Sequence, residues 1–135
     1  MRSRGQSLVE LAICAPLVML LAMGAVSLVH LAESREGLEA ATQAAVAAAA
    51  RAPDPVSARS AARDVFTSMV GDFPLTAPTL RLSLGDFARG GRIVAESSAT
   101  VDLAWGGLPG IPGHLTLNAT AESLVEQWRS HASPA

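Results

Sequence analysis

The sequence predicts an α+β protein in which a long N-terminal transmembrane helix extends into a small head with a second helix and a three-stranded antiparallel sheet. Two observations carry this prediction: an uncharged apolar run close to the N-terminus, and a change of hydrophobic period from 3.6 to 2 beyond residue 78. The 135 residues leave room for a single small domain once the apolar run is set aside.

The apolar run covers residues 11–32 and contains no Asp, Glu, Lys or Arg. Its 22 residues would span roughly 33 Å as an α-helix, enough to cross the hydrocarbon of a bilayer. Arg2 and Arg4 precede the run, and acidic residues follow it from Glu33 onward. By the positive-inside rule we expect a single-pass protein of the cytoplasmic (inner) membrane, with its N-terminus inside and residues 33–135 outside.

The predicted organisation has four parts. They are a cytoplasmic basic leader (1–5), a transmembrane helix (6–32), an extracytoplasmic continuation of that helix (33–52) and an extracytoplasmic α+β head (53–135). The continuation is rich in Ala, the best helix former, so one helix of about 68 Å is expected from residue 7 to residue 51. Pro16 is expected to kink it, and Gly37 is a candidate for a bend.

A second helix is predicted from the Asp54-Pro55 pair, which suits an N-cap and a first helical position, to a stop at Gly71. Apolar residues recur at helical spacing within it and are interpreted as a core-facing stripe: Ala58, Ala61, Ala62, Val65, Phe66 and Met69.

Three strands are predicted from period-two alternation, each with one apolar face. Their inward residues are Leu80, Leu82 and Leu84, then Ile93, Ala95, Ser97, Ala99, Val101 and Leu103, and finally Leu115, Leu117, Ala119 and Ala121. Gly90-Gly91 is interpreted as the tip of the hairpin between the first two strands, and residues 106–113 as a Gly/Pro loop before the third. The Ala-rich helix and the 55–70 helix are the expected covers of the apolar face.

Several functions are excluded by composition. With 10 basic and 12 acidic residues and no cluster of Arg with aromatics, nucleic acid is not expected as a partner. His30, His114 and His131 share no metal-like spacing with one another or with Cys14, so no metal and no cofactor is expected. No serine-hydrolase, zinc-protease or phosphate-binding motif is present, so neither enzymatic activity nor a small-molecule substrate is expected.

Glu10 is the informative residue, because a carboxylate entering hydrocarbon is costly, about 2.5–3.5 kcal/mol for Asp at the centre of a bilayer and less near its surface. A nearby cation would offset that cost. The alternative is that Glu10 lies in the interface, roughly 9 Å along the helix from Arg4, and has no role.

The order of residues around Glu10 resembles the leader of type IV prepilins, and more closely that of TadE-like pseudopilins of the tight-adherence (Tad/Flp) pilus. The resemblance is carried by Arg4-Gly5-Gln6-Ser7-Leu8-Val9-Glu10 and by Pro16. It implies cleavage between Gly5 and Gln6 by a prepilin peptidase, followed by pairing of the new Gln6 amine with Glu10 as subunits assemble.

The implied partners are membrane lipid, the peptidase, other pilins or pseudopilins and the pilus assembly platform, with incorporation into a pilus as a further location. A weaker similarity covers residues 99–104, 108–113 and 115–121. Leu11 stands where Flp-type prepilins usually have an aromatic residue, which favours a minor or initiating subunit over the major pilin.

Two alternatives remain open from the residues alone. One is a secreted protein with an ordinary signal peptide cut after Gly24, at the small-x-small sequence Ala22-Met23-Gly24. The other is a membrane-anchored binding protein that is not processed at all.

Overall fold

The structure is a computed structural model that describes residues 2–103, 106 and 109–125. Its elements, in chain order, are α1 (Arg2–Arg51), α2 (Pro55–Val70), β1 (Thr76–Ser83), β2 (Arg92–Asp102) and β3 (His114–Leu124). The predicted α+β class, with a long N-terminal helix, a second helix and a three-stranded antiparallel sheet, is therefore confirmed.

The helix α1 is 50 residues long, about 75 Å at the standard rise, and continues without interruption through Pro16 and Gly37. Its two halves differ in burial. Every described side chain from residue 3 to residue 23 is exposed, whereas one face is buried from Ser27 to Ala50. The first half therefore projects from the head, and the second half forms part of it.

The helix α2 begins as predicted. Asp54 is its N-cap, and one carboxylate oxygen accepts the backbone N–H groups of Val56 and Ser57 at 3.0 and 2.9 Å. The other carboxylate oxygen accepts the Ser57 hydroxyl at 2.6 Å. This hydroxyl is the main cause that lowers the pKa of Asp54, and the two backbone N–H groups contribute in the same direction. The buried stripe of α2 consists of Ala58, Ala62, Phe66 and Val70.

The sheet has the strand order β1-β2-β3 with both pairs antiparallel. Burial alternates along β2, where Ile93, Ala95, Ser97, Ala99 and Val101 are all buried. The predicted inward face is therefore confirmed for these five residues, whereas Leu103 lies beyond the end of β2 and is half-buried. On the edge strand β1 the register shifts between Thr76 and Thr79, and Ala77 has a positive φ of 48°. Such a bulge is a common way to end pairing at a sheet edge.

The core lies between α1 and the sheet, as expected for a sheet with one apolar face. The helix α1 packs directly on β2 and β3, whereas α2 packs mainly on α1 and meets the sheet chiefly at β1. The sequence suggested both helices as covers, and α1 provides most of the cover. Ala dominates the buried face of α1 through Ala41, Ala45, Ala49 and Ala50, so the sheet can approach the helix closely.

Gly90-Gly91 is not the tip of the β1–β2 hairpin. The connection is residues 84–91, and the two glycines come at its end, directly before β2. The Gly91 N–H donates to the Ala88 carbonyl at 2.8 Å, and the Gly91 carbonyl accepts from the Val125 N–H at 2.9 Å. A Cβ on Gly91 would clash with the Asp86 carbonyl oxygen, so the loop requires glycine because its backbone folds back on itself.

Candidate assembly site at the N-terminus

The segment around Gly5 is an exposed helical turn of α1. A Cβ placed on Gly5 would meet nothing within 4 Å. Ser7 is also exposed, and its hydroxyl donates to the Ser3 carbonyl one turn earlier at 2.9 Å. The fold thus places no packing constraint on the predicted cleavage position, and a requirement for glycine there must come from outside the folded chain.

Glu10 lies four residues after Gln6, so the two residues share one face of α1 and are one turn apart. The Glu10 side chain is exposed and is the only acidic group in residues 3–32. Within the described part of the chain it has no ion-pair partner. The structure therefore brings Gln6 and Glu10 together on the helix surface and leaves the carboxylate available for a cation.

Large apolar side chains cover all sides of the projecting half of α1. They are Leu8, Val9, Leu11, Ile13, Leu17, Val18, Met19, Leu20, Leu21, Met23, Val26, Leu28 and Val29, each about half exposed or more. A helix that is apolar all round is stable only in lipid or against other helices. Among the described residues, α1 is the one helix long and apolar enough to cross a membrane.

The other residues considered at the sequence level do not form a site. Cys14 is exposed on α1, His30 is exposed farther along it, and His114 begins β3 opposite Asp102. His131 lies outside the described residues. No group of three or more His, Cys, Asp or Glu that could hold a metal occurs in the described ranges.

Sequence reasoning missed a buried polar contact between α1 and β2. The Thr42 hydroxyl lies 2.5 Å from the Ser97 hydroxyl and donates to the Leu38 carbonyl at 2.6 Å. Ser97 is also 3.5 Å from the Ala119 carbonyl oxygen. Ser97 was identified as inward-facing, but nothing in the alternation of the strand reveals which helix residue meets it.

A comparison with known families supports the resemblance over part of the chain. The family model of TadE-like proteins matches residues 5–51. The match begins at Gly5 and ends with the last residue of α1. No curated protein and no solved structure matches the chain. The weaker similarity over residues 99–121 stays a prediction, and Ala104 and Leu108 within it lie outside the described residues.

Proposed function

From the TadE-like match of residues 5–51, we propose that this chain is a pseudopilin-like membrane subunit of a Tad pilus or a related secretion apparatus. A prepilin peptidase removes residues 1–5, and the mature subunit takes part in assembly as an initiating or minor component. The TadE-like match supports a structural role in the pilus system. The partners are the peptidase, other pilins or pseudopilins, and the assembly platform.

The observation that carries the proposal is the division of α1 into an exposed apolar half and a half buried in the head. The exposed half can sit in the bilayer before assembly and pack among other helices after it. Both environments are apolar, so the subunit can move from one to the other without exposing that surface to water. Glu10 then adds a requirement for a cation, which a mature N-terminal amine would meet.

Cleavage is tested by the intact mass and the N-terminal sequence of the membrane-expressed protein with and without a prepilin peptidase. We expect Gln6, free or cyclised, as the first residue when the peptidase is active, and Met1 when it is absent. A first residue of Ala25 would contradict the proposal and support secretion. Met1 in the presence of a peptidase that processes a known prepilin would contradict it and support a plain anchor.

Gly5→Val separates recognition by the peptidase from folding. A Cβ on Gly5 contacts nothing in the folded chain, so the variant is expected to insert and fold normally but to remain uncut. Ser7→Ala, which loses only the bond to the Ser3 carbonyl, is the matched control and should be cut normally. Normal cleavage of Gly5→Val would contradict the assignment of the cut after Gly5.

Glu10→Gln tests the role in assembly. This variant keeps the size of the side chain and removes the charge, so cleavage and insertion should be unchanged while cross-linking to other pilus subunits is lost. Glu33→Gln, an exposed acid beyond the apolar run of the same helix, is the control and should assemble normally. Normal assembly of Glu10→Gln would remove the proposed role of the carboxylate.

A further inference from the structure

Strand β2 lies along α1 and runs from the head toward the exposed apolar half of that helix. The Thr42–Ser97 contact fixes one point where the strand lies on the helix. At a second point, His30 lines the same surface depression as Val101 and Asp102. From Thr42 to His30 the helix covers about 18 Å. From Ser97 to Asp102 the strand covers about 16 Å. The strand therefore runs antiparallel to α1, and its end at Asp102 reaches the edge of the uncharged run, residues 11–32.

The connection that follows β2 contains no charged residue and no His between Leu103 and Gly113. Its base is closed: the Leu103 N–H donates to the Gly113 carbonyl at 2.9 Å, and the Gly106 N–H donates to the Leu103 carbonyl at 2.9 Å. A Cβ on Gly106 would lie 3.1 Å from the Gly113 Cα. The two ends of the connection are therefore held together, and its described residues Pro109–Pro112 are exposed.

Apolar side chains at this end of the head are exposed. Ile111 is 43% exposed and Leu115 is 39% exposed. Leu115 pairs with the buried Val101, so it points to the helix-covered side of the sheet, yet α1 leaves it uncovered. Outside α1, the described residues include only two other exposed large apolar side chains, Val56 and Leu124.

We propose that this apolar rim, Pro109–Gly113 with Leu115, rests on the outer surface of the bilayer and is a second membrane contact of the subunit before assembly. The proposal rests on the insertion of α1 proposed above. The rim follows the strand end that lies beside His30, so it continues the apolar surface of α1 at the level where the span leaves the hydrocarbon. With the rim on the lipid, the tilt of α1 and the head relative to the bilayer is fixed.

The depth of the rim follows from its backbone. Its loop part, Pro109–Gly113, forms neither helix nor strand, so its peptide groups lack regular partners and would be costly in the hydrocarbon core. The headgroup region supplies water and polar groups while still accepting apolar side chains. The loop part of the rim therefore lies in this interfacial layer, and Leu115, the second residue of β3, lies at its upper edge beside Asp102 and His114.

The test uses an environment-sensitive fluorophore on single cysteines of the full chain, reconstituted in phosphatidylcholine–phosphatidylglycerol vesicles with nitroxide-labelled lipids. One sample carries the label on the native Cys14. Two others, on a Cys14→Ser background, carry it on Ile111→Cys and on Val56→Cys. Val56 is the matched control because it is 76% exposed and lies at the start of α2, just past the far end of α1.

We expect deep nitroxides to quench the Cys14 label, shallow nitroxides to quench the label at position 111, and neither to quench the label at position 56. Quenching of Cys14 without quenching at position 111 overturns the inference and leaves insertion intact. Protection of position 111 from aqueous iodide that depends on protein density, without lipid quenching, also overturns it in favour of contact with a second subunit. Absence of quenching at Cys14 overturns insertion itself, and the inference with it.

Discussion

Gly37 is a residue whose role depends on a partner far away in sequence. A Cβ added there would lie 2.5 Å from the Cδ1 and Cγ atoms of the Phe73 ring. The ring therefore rests against the bare backbone of α1, and this contact joins the helix to the segment between α2 and β1. The sequence suggested Gly37 as a candidate bend, and the structure gives it a packing role.

Gly37→Ala is expected to destabilise the head. The gain in helix propensity is about 1 kcal/mol, but overpacking against the ring costs about 1–3 kcal/mol. The free energy of unfolding can be measured in detergent by hydrogen exchange of the β2 amides. Gly71→Ala is the control, because the nearest atom to its added Cβ is at an ordinary 3.5 Å. If Gly37→Ala lowers the free energy of unfolding as much in a Phe73→Leu background as in the wild type, the contact with the Phe73 ring is not the cause of the destabilisation.

Asp54 gives α2 a dependence on pH. Its pKa in the folded chain lies below the ordinary 3.8 because the Ser57 hydroxyl and the nearby N–H groups bond the charged form. A lowered folded pKa means that this stabilisation is fully present above the unfolded pKa and is lost as pH falls through the folded pKa. The melting temperature of the wild type should therefore approach that of Asp54→Asn on acidification below pH 3.8. A gap between them that is the same at pH 7 and in acid would contradict this explanation.

At the scale of elements, one hydroxyl pair connects α1 to the central strand. Thr42 and Ser97 are both buried. Apart from each other, the Thr42 hydroxyl bonds the Leu38 carbonyl, and the Ser97 hydroxyl has a long contact with the Ala119 carbonyl. Such a pair contributes little net stability when whole, but breaking it leaves one buried hydroxyl poorly satisfied. It can therefore define where β2 lies along the helix, and so how far the sheet reaches toward the membrane.

Thr42→Val is expected to cost about 1–3 kcal/mol, because Ser97 would keep only its long contact to the Ala119 carbonyl. The double variant Thr42→Val with Ser97→Ala should be closer to the wild type than the first variant alone. Unfolding of all four members of this cycle, measured by exchange of the β2 amides, gives the coupling energy. Additive effects would show that the two hydroxyls do not depend on each other.

For the molecule as a whole, α1 is both the one described helix long and apolar enough to cross a membrane and part of the core of the head. Six of its residues belong to the single buried cluster: Leu38, Ala41, Ala45, Val46, Ala49 and Ala50. The buried face extends back to Ser27, inside the uncharged run 11–32. The predicted boundary of the head at residue 53 therefore separates the sheet from α1, the helix that covers most of it.

A fragment of residues 53–135 is therefore expected not to fold, whereas residues 25–135 should give a folded, water-soluble head. The longer fragment keeps the whole buried face of α1 and loses most of the exposed apolar half. Protection of the β2 amides in water distinguishes the two fragments. Equal protection in both would show that α2 alone covers the sheet.

The sequence by itself determined the elements and the apolar half of α1 that is long enough to cross a membrane, because these depend on local patterns. The uncharged run defines the span, the Asp54-Pro55 pair defines the start of α2, and alternation defines the inward face of β2. The TadE-like segment, with Gly5 and Glu10, is likewise recognised from the order of adjacent residues. Cleavage after Gly5 and pairing of Glu10 remain predictions.

Only the tertiary structure decided which distant residues meet. The contact between Gly37 and Phe73 and the Thr42–Ser97 pair join residues far apart along the chain, and His30 and Asp102 line one surface depression. Periodicity specifies a face but not its partner, since any apolar face of suitable shape can cover another. The position of β2 along α1 is therefore set by packing and by one buried polar contact.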